Sequence, residues 1–315
     1  MKNFISIEDL SDFEKSISEA IALKNNSLKF NSLGENKSLG MLFFNPSLRT
    51  RLSTQKAAQN LGLNTMVMNF NDEGWKLEFQ NGVEMNGSSS EHVKEAASVI
   101  SQYCDIIAIR AFASLNDKEA DESELVINSF CKYSSVPIIN MESATAHPLQ
   151  ALADAITIEE HKKINRPKVV LTWAPHPKPL PHAVANSFVK MIKKIDVDFV
   201  ITRPEGYSLN SKIESQINST TDQEEAFKNA DFVYAKNWCS YKNYGKILKN
   251  DSSWKITSKK MNLTNNAKFM HCLPVRRNII VSDSVIESPN SLVIQQAQNR
   301  VYATQLILKK LIENE

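Results

Sequence analysis

His147-Pro-Leu-Gln-Ala-Leu-Ala-Asp-Ala-Ile-Thr-Ile-Glu-Glu-His161 lies near the middle of a chain of 315 residues. Leu149, Leu152, Ala153 and Ile156 follow the i, i+3, i+4, i+7 spacing of an apolar helix face, and Pro148 suits a first helical position. A helix is therefore expected from Pro148 to about His161. Before it, Met41 to Phe44, Thr65 to Asn69, Ile106 to Ile109 and Val136 to Ile139 read as buried strands separated by helix-like stretches. After it the rhythm returns in Val169 to Trp173, Phe199 to Thr202, Phe232 to Ala235 and Phe269 to His271. Alternating strands and helices imply parallel sheets with right-handed crossovers. The expected fold is α/β, with two doubly wound parallel-sheet domains joined by two crossing helices. Residues 1–147 form one domain and 148–296 the other, which includes the connecting helix 148–161; a final helix over 297–315, marked by Val301, Leu308, Leu311 and Ile312, crosses back onto the first. A length of 315 residues also suits two domains of about 100 to 200 residues each.

Composition excludes several classes of function. Hydrophobic residues make up 42% and charged residues 23%, close to an ordinary globular protein. Lys plus Arg number 37 against 35 Asp plus Glu, so no broad basic surface for nucleic acid is expected. The start MKNFISIEDLSDFEKS lacks a continuous apolar segment, and no run approaches about 18 apolar residues, which predicts a cytoplasmic chain without a membrane span. Cys104, Cys131, Cys239 and Cys272 show no CxxC spacing, against a disulfide framework or a zinc knuckle. No GxGxxG follows a strand, against a dinucleotide fold. The stretch from Ala174 to Pro181 is proline-rich but sits between a strand and a helix, as an ordered loop would.

Ligands of open α/β sheets bind beyond the carboxyl ends of the strands. The uncommon polar residues collect there: Asn45 to Arg51 after the first strand, Arg110 after the third, Glu142 and His147 after the fourth, and His176, Lys236 and the run His271 to Arg277 in the second half. A helix starting at Ser47 would carry Arg49 and Arg51 in its first turn, where cations oppose the helix dipole by roughly 0.3 to 1 kcal/mol each. A bound phosphate would repair that conflict with backbone N–H groups, the Ser47 and Thr50 hydroxyls and a guanidinium. An ordinary serine cap with solvated arginines is the alternative. His147, held extended by Pro148, can point into the cleft or cap the helix; Cys272 can line the cleft or only pack.

Taken together, Phe44-Asn-Pro-Ser-Leu-Arg-Thr50, His147-Pro-Leu-Gln150 and His271-Cys-Leu-Pro274 resemble the aspartate and ornithine transcarbamylase superfamily, in order and over nearly the whole chain. The resemblance implies a homotrimer with shared active sites, carbamoyl phosphate and an amino-acid amine as substrates, and no cofactor or metal. It implies that Ser47, Leu48, Arg49 and Thr50 hold the phosphate, that Arg110, His147, Gln150, Cys272, Leu273 and Arg300 surround the carbamoyl group, and that Trp75, in the stretch Asn71-Asp-Glu-Gly-Trp75, reaches a neighbouring subunit's site. Arg110, His147 and Cys272 take the catalytic places.

The Asp and Ser-Met-Gly loop of the free-ornithine members has no counterpart in Tyr234 to Gly245. Lys236-Asn-Trp238, Trp173-Ala-Pro-His-Pro177 and Leu273-Pro-Val-Arg-Arg-Asn278 instead resemble the N-acylornithine branch, which implies Glu142, His176, Lys236 and Arg276 as acceptor contacts. Acetyl-using members carry Glu where Ser90 stands in Asn86-Gly-Ser-Ser-Ser-Glu-His92, and Lys where Ile280 stands. Both departures favour a succinyl over an acetyl acceptor. A non-catalytic subunit that binds the same ligands is the alternative in a different class.

Overall fold

The computed structural model describes residues 1–70, 73–248 and 251–314. Its strands in chain order are β1 (Ser38–Phe43), β2 (Asn64–Asn69), β3 (Leu77–Glu78), β4 (Glu91–His92), β5 (Ile106–Arg110), β6 (Ile138–Glu142), β7 (Lys168–Trp173), β8 (Asp198–Thr202), β9 (Asn218–Thr220), β10 (Phe232–Lys236) and β11 (Lys268–Met270). They form two parallel sheets, ordered β2-β1-β5-β6 and β11-β10-β7-β8-β9, and a small β3-β4 pair. The apolar runs of β1 and β5 are buried almost throughout, as strands covered on both faces must be.

Several boundaries differ from the sequence expectation, the first strand running from Ser38 to Phe43 rather than Met41 to Phe44. The fourth strand starts at Ile138 rather than Val136, because Pro137 has no N–H to give a ladder. The helix expected at Ser47 spans Arg49–Asn60, with Leu48 at the N-cap. The final helix covers Val293–Ile312, starting four residues earlier than expected, and Glu315 lies outside the described residues. The helix Pro148–His161 runs between the expected limits.

That helix and Val293–Ile312 cross against each other and share the largest apolar core, which also takes Leu39 and Phe43 from the first sheet and Val169 and Leu171 from the second. A polar seam lines their crossing. Gln296 Nε2 donates to Asp154 Oδ1 at 2.7 Å, and Asn299 Nδ2 donates to Thr157 Oγ1 at 3.0 Å. Lys24 reaches in from the helix Phe13–Asn25 and pairs with Glu160 at 2.8 Å. Buried polar groups stay stable only when partnered, so this seam fixes the rotation of one helix against the other. The long helix also packs on Arg49–Asn60, where Asn60 Nδ2 donates to Gln305 Oε1 at 3.0 Å. Both sheets are thereby clamped with their strand ends facing one cleft.

Candidate active site

Strand order reverses at β1 beside β5 and at β7 beside β10, the switch points where an α/β sheet opens a crevice. The segments following these strands meet in a cavity of about 700 Å³. Thirteen of the sixteen residues assigned from sequence line it: Ser47, Leu48, Arg49, Thr50, Arg110, Glu142, His147, Gln150, His176, Lys236, Cys272, Leu273 and Arg300. Their sources are both sheets, the bridging helix and the final helix.

Thr50 is the centre of the first wall. Its hydroxyl oxygen accepts from Arg110 Nη1 at 3.1 Å and from Arg300 Nη2 at 2.7 Å, while its backbone N–H donates to Ser47 Oγ at 3.2 Å. Both hydroxyl lone pairs are occupied, which leaves the O–H free to donate. Arg110 also donates to Glu142 Oε2 at 2.5 Å, and its guanidinium lies 4.2 Å from the Phe112 ring centroid. Phe112 was not singled out from sequence; an aromatic residue two places beyond a strand-end arginine is the signal it offered.

The electrostatics favour an anion. Four cationic side chains, Arg49, Arg110, Arg300 and Lys236, share this lining with one carboxylate, Glu142. Burial pushes Arg300 down to about 10, with Arg110 adding repulsion and Glu142 opposing it. Burial lowers Arg49 as well, with the charge of Arg110 working in the same direction. The Nε atoms of Arg49, Arg110 and Arg300 are buried without partners, which is costly for groups that bind water strongly. A phosphate at the N-terminus of Arg49–Asn60 would relieve both effects.

His147 is buried, and desolvation together with Arg300 and Arg110 lowers its pKa well below the usual histidine range. It is therefore neutral near pH 7, with Nε2 at 3.4 Å from Glu142 and Nδ1 buried without a partner. Its backbone N–H donates to Ser187 Oγ at 2.8 Å. Gln150 also keeps an unpartnered buried atom, Oε1. Burial raises Cys272, so it faces this wall as a neutral thiol rather than a thiolate. Leu273 adopts φ +56°, a conformation disfavoured for a residue with a Cβ and found where a loop is held for function.

Three assigned residues lie outside the cavity. Trp75 is 57% exposed and its Nε1 donates to Glu91 Oε2 at 2.8 Å. Ser90 is exposed, its N–H bonded to the Lys76 carbonyl at 3.0 Å, so Trp75 stands just before β3 and Ser90 just before its partner strand β4. Of the stretch quoted around Trp75, Asn71 and Asp72 lie outside the described residues. Arg276 is exposed on the loop after Pro274.

Residues 2–160 match the family described as aspartate/ornithine carbamoyltransferase, carbamoyl-P binding domain, and residues 181–311 match its Asp/Orn binding domain. The chain is 53% identical over 315 residues to an N-succinylornithine carbamoyltransferase of Bacteroides thetaiotaomicron, covering 99% of each chain. It is 36% identical over 334 residues to an N-acetylornithine carbamoyltransferase of Xanthomonas axonopodis pv. citri, covering 99% of this chain and 96% of that one. Among solved structures, a glutamate-to-serine mutant of N-acetyl-L-ornithine transcarbamylase, complexed with carbamyl phosphate and N-succinyl-L-norvaline, aligns with a TM-score of 0.93 at 36% identity, over 99% of this chain and 100% of that one. The first matched segment holds the whole first sheet and the second holds all of the second sheet except β7, and between them they contain every cavity residue except His176 and Leu180: this chain belongs to the aspartate/ornithine carbamoyltransferase family.

Proposed function

We propose that this chain transfers the carbamoyl group of carbamoyl phosphate to the side-chain amine of N-succinyl-L-ornithine, yielding N-succinyl-L-citrulline and phosphate, as a step of arginine biosynthesis in the cytoplasm. Among the described residues no helix is long and apolar enough to cross a membrane, which agrees with that setting. The observation that carries the reading is the wall around Thr50, where arginine side chains converge on a helix N-terminus and Glu142 is the one carboxylate of the lining.

In the proposed reaction Ser47, Leu48, Arg49 and Thr50 bind the phosphate, and Arg300 and Arg110 span from it to the carbonyl oxygen. The uncharged amine attacks the carbonyl carbon, and negative charge develops on its oxygen. Thr50 O–H, an Arg110 N–H and the N–H of neutral His147 stabilise that charge where it forms. The bond from carbon to the phosphate oxygen then breaks, and the departing phosphate accepts the proton lost by the amine. Gln150, Cys272 and Leu273 enclose the carbamoyl group. Glu142, His176, Lys236 and Arg276 contact the acylated amino acid, with the cationic groups suited to its carboxylates.

The succinyl assignment draws on the 53% identity to the Bacteroides relative and on Ser90. That a glutamate-to-serine mutant of the acetyl enzyme is complexed with a succinyl ligand agrees with a serine admitting the longer acid. Trp75 and Ser90, exposed and outside their own cavity, fit a homotrimer in which each loop completes a neighbour's site. Phosphate release with carbamoyl phosphate and, in turn, N-succinylornithine, N-acetylornithine, ornithine and aspartate tests the reading. The expected result is the highest kcat/KM with N-succinylornithine; preference for acetyl overturns the acceptor, and no transfer to any amine leaves a non-catalytic binding subunit.

A further inference from the structure

Asp154 is fully buried in the bridging helix, one turn beyond Gln150, and the mechanism above does not use it. Its Oδ1 accepts from Gln150 Nε2 at 2.7 Å and from Gln296 Nε2 at 2.7 Å. At the other end of Gln296, Oε1 accepts from the backbone N–H of His271 at 2.9 Å. The polarity of this chain of contacts is forced. A backbone N–H can only donate, so Gln296 must turn its oxygen to His271 and its NH2 to Asp154. A carboxylate offers only acceptors, so Gln150 must also turn its NH2 inward. Its oxygen is then the atom left over, and that atom is buried without a partner in a residue lining the cleft.

We propose that Asp154 is a positioning residue that holds the Gln150 carboxamide in one of its two orientations, so that the cleft offers an acceptor, Gln150 Oε1, to the NH2 of a carbamoyl group. The inference rests on the carbamoyl-phosphate reading above and deepens it. Carbamoyl phosphate and acetyl phosphate differ at this NH2, and a free glutamine could turn either end toward them. With Asp154 ionised, only the carbamoyl ligand finds its partner, so Asp154 imposes selectivity through a residue it touches rather than by touching substrate.

The groups facing Asp154 are Gln150 on its own helix, Gln296 and Arg300 on the final helix, Tyr234 on β10 and Cys272 beyond β11. Burial raises its carboxyl to about 7, while Gln296, Gln150, Tyr234 and the charge of Arg300 oppose the rise. Above that pH the carboxylate orients Gln150. Below it the neutral acid gains an O–H that can donate to Gln150 Oε1 once the amide turns over, and the orientation is lost.

Calorimetric binding of phosphonoacetamide, which joins a phosphonate to a carboxamide, and of methylphosphonate, which lacks the amide, separates these effects in the full-length protein. Wild type should prefer phosphonoacetamide, with a preference about tenfold larger at about pH 8 than at about pH 6. Asp154→Leu should cut the preference at about pH 8 about tenfold and leave methylphosphonate binding unchanged. Asp154→Asn, which like the neutral acid carries a donor beside its acceptor, should show the smaller low-pH preference at both pH values and so lose the pH dependence. An unchanged preference in Asp154→Leu, equal weakening of both ligands, or pH dependence that survives in Asp154→Asn overturns the proposal. Should Asp154→Leu not fold, the pH comparison in Asp154→Asn decides alone. Absence of any amide preference in wild type overturns the carbamoyl-phosphate reading itself, whereas a wild-type preference indifferent to both substitutions overturns only the role of Asp154.

Discussion

The inner wall of the cleft and its outer rim are held by different means. Thr50, Arg110, His147, Gln150 and Arg300 are buried, and each makes at least one hydrogen bond with another segment of the cleft or with the seam between the two long helices. Trp75, Ser90 and Arg276 are exposed on loops, tied mainly to neighbours in their own segment. The contrast follows from the work each region does. Charge developing on a carbonyl oxygen is stabilised best by donors already fixed in place, because donors that must reorganise during the reaction give back much of their benefit. Discrimination between acyl tails needs only a difference in affinity, which a loop on a rigid scaffold can supply and vary.

If the inner wall is the fixed part, Arg49→Ala should have the largest effect: kcat/KM for carbamoyl phosphate falls by about a hundredfold or more. Circular dichroism should show the fold retained, since Arg49 is only half-buried and outside the apolar core. Turnover near wild type in the folded variant would remove Arg49 from the phosphate site.

The rim is tested by subunit exchange. Trp75→Ala and Arg110→Ala, each of low activity alone, should regain roughly a quarter of wild-type activity when mixed in equal amounts under exchanging conditions, because about that share of sites joins an intact cavity to an intact neighbouring loop. No recovery despite mixed oligomers seen by native mass spectrometry would confine Trp75 to its own subunit.

The smallest effect concerns the acyl tail. Ser90→Glu should move the ratio of kcat/KM for N-succinylornithine over N-acetylornithine toward acetyl by about tenfold. Two like charges at about 4 Å with an effective dielectric near 20 repel by about 4 kcal/mol, and solvent and side-chain movement reduce this toward the about 1.4 kcal/mol of a tenfold ratio. Should the ratio stay constant, residue 90 does not read the tail.

The same contrast governs how much could be read in advance. Both sheets and the bridging helix were legible because burial on two faces leaves uninterrupted apolar runs, and Pro148 marks its helix start without ambiguity. β9 was not, since Asn218-Ser-Thr220 is a polar, half-exposed edge strand with no periodic signal. The cleft residues stood out as polar side chains at strand ends, but their partners did not: nothing local ties Arg300 to Thr50 across 250 positions. Asp154 left a trace, four places after Gln150 within the apolar run Leu149 to Ile156, which is the spacing of side chains that meet. Without the tertiary fold that trace cannot be told from a solvated helix face.

Arg300 reaches Thr50 from a helix that begins only at Val293 and ends at Ile312. A ribosome making this protein at about 5–20 residues per second would release the first sheet well before that helix. The nascent first sheet would already carry Arg49, Thr50 and Arg110, yet its phosphate wall would lack the Arg300 guanidinium until the helix Val293–Ile312 had emerged. Completion of that wall thus follows synthesis of every strand of both sheets, and removal of the helix Val293–Ile312 would take away Arg300 while leaving those strands encoded.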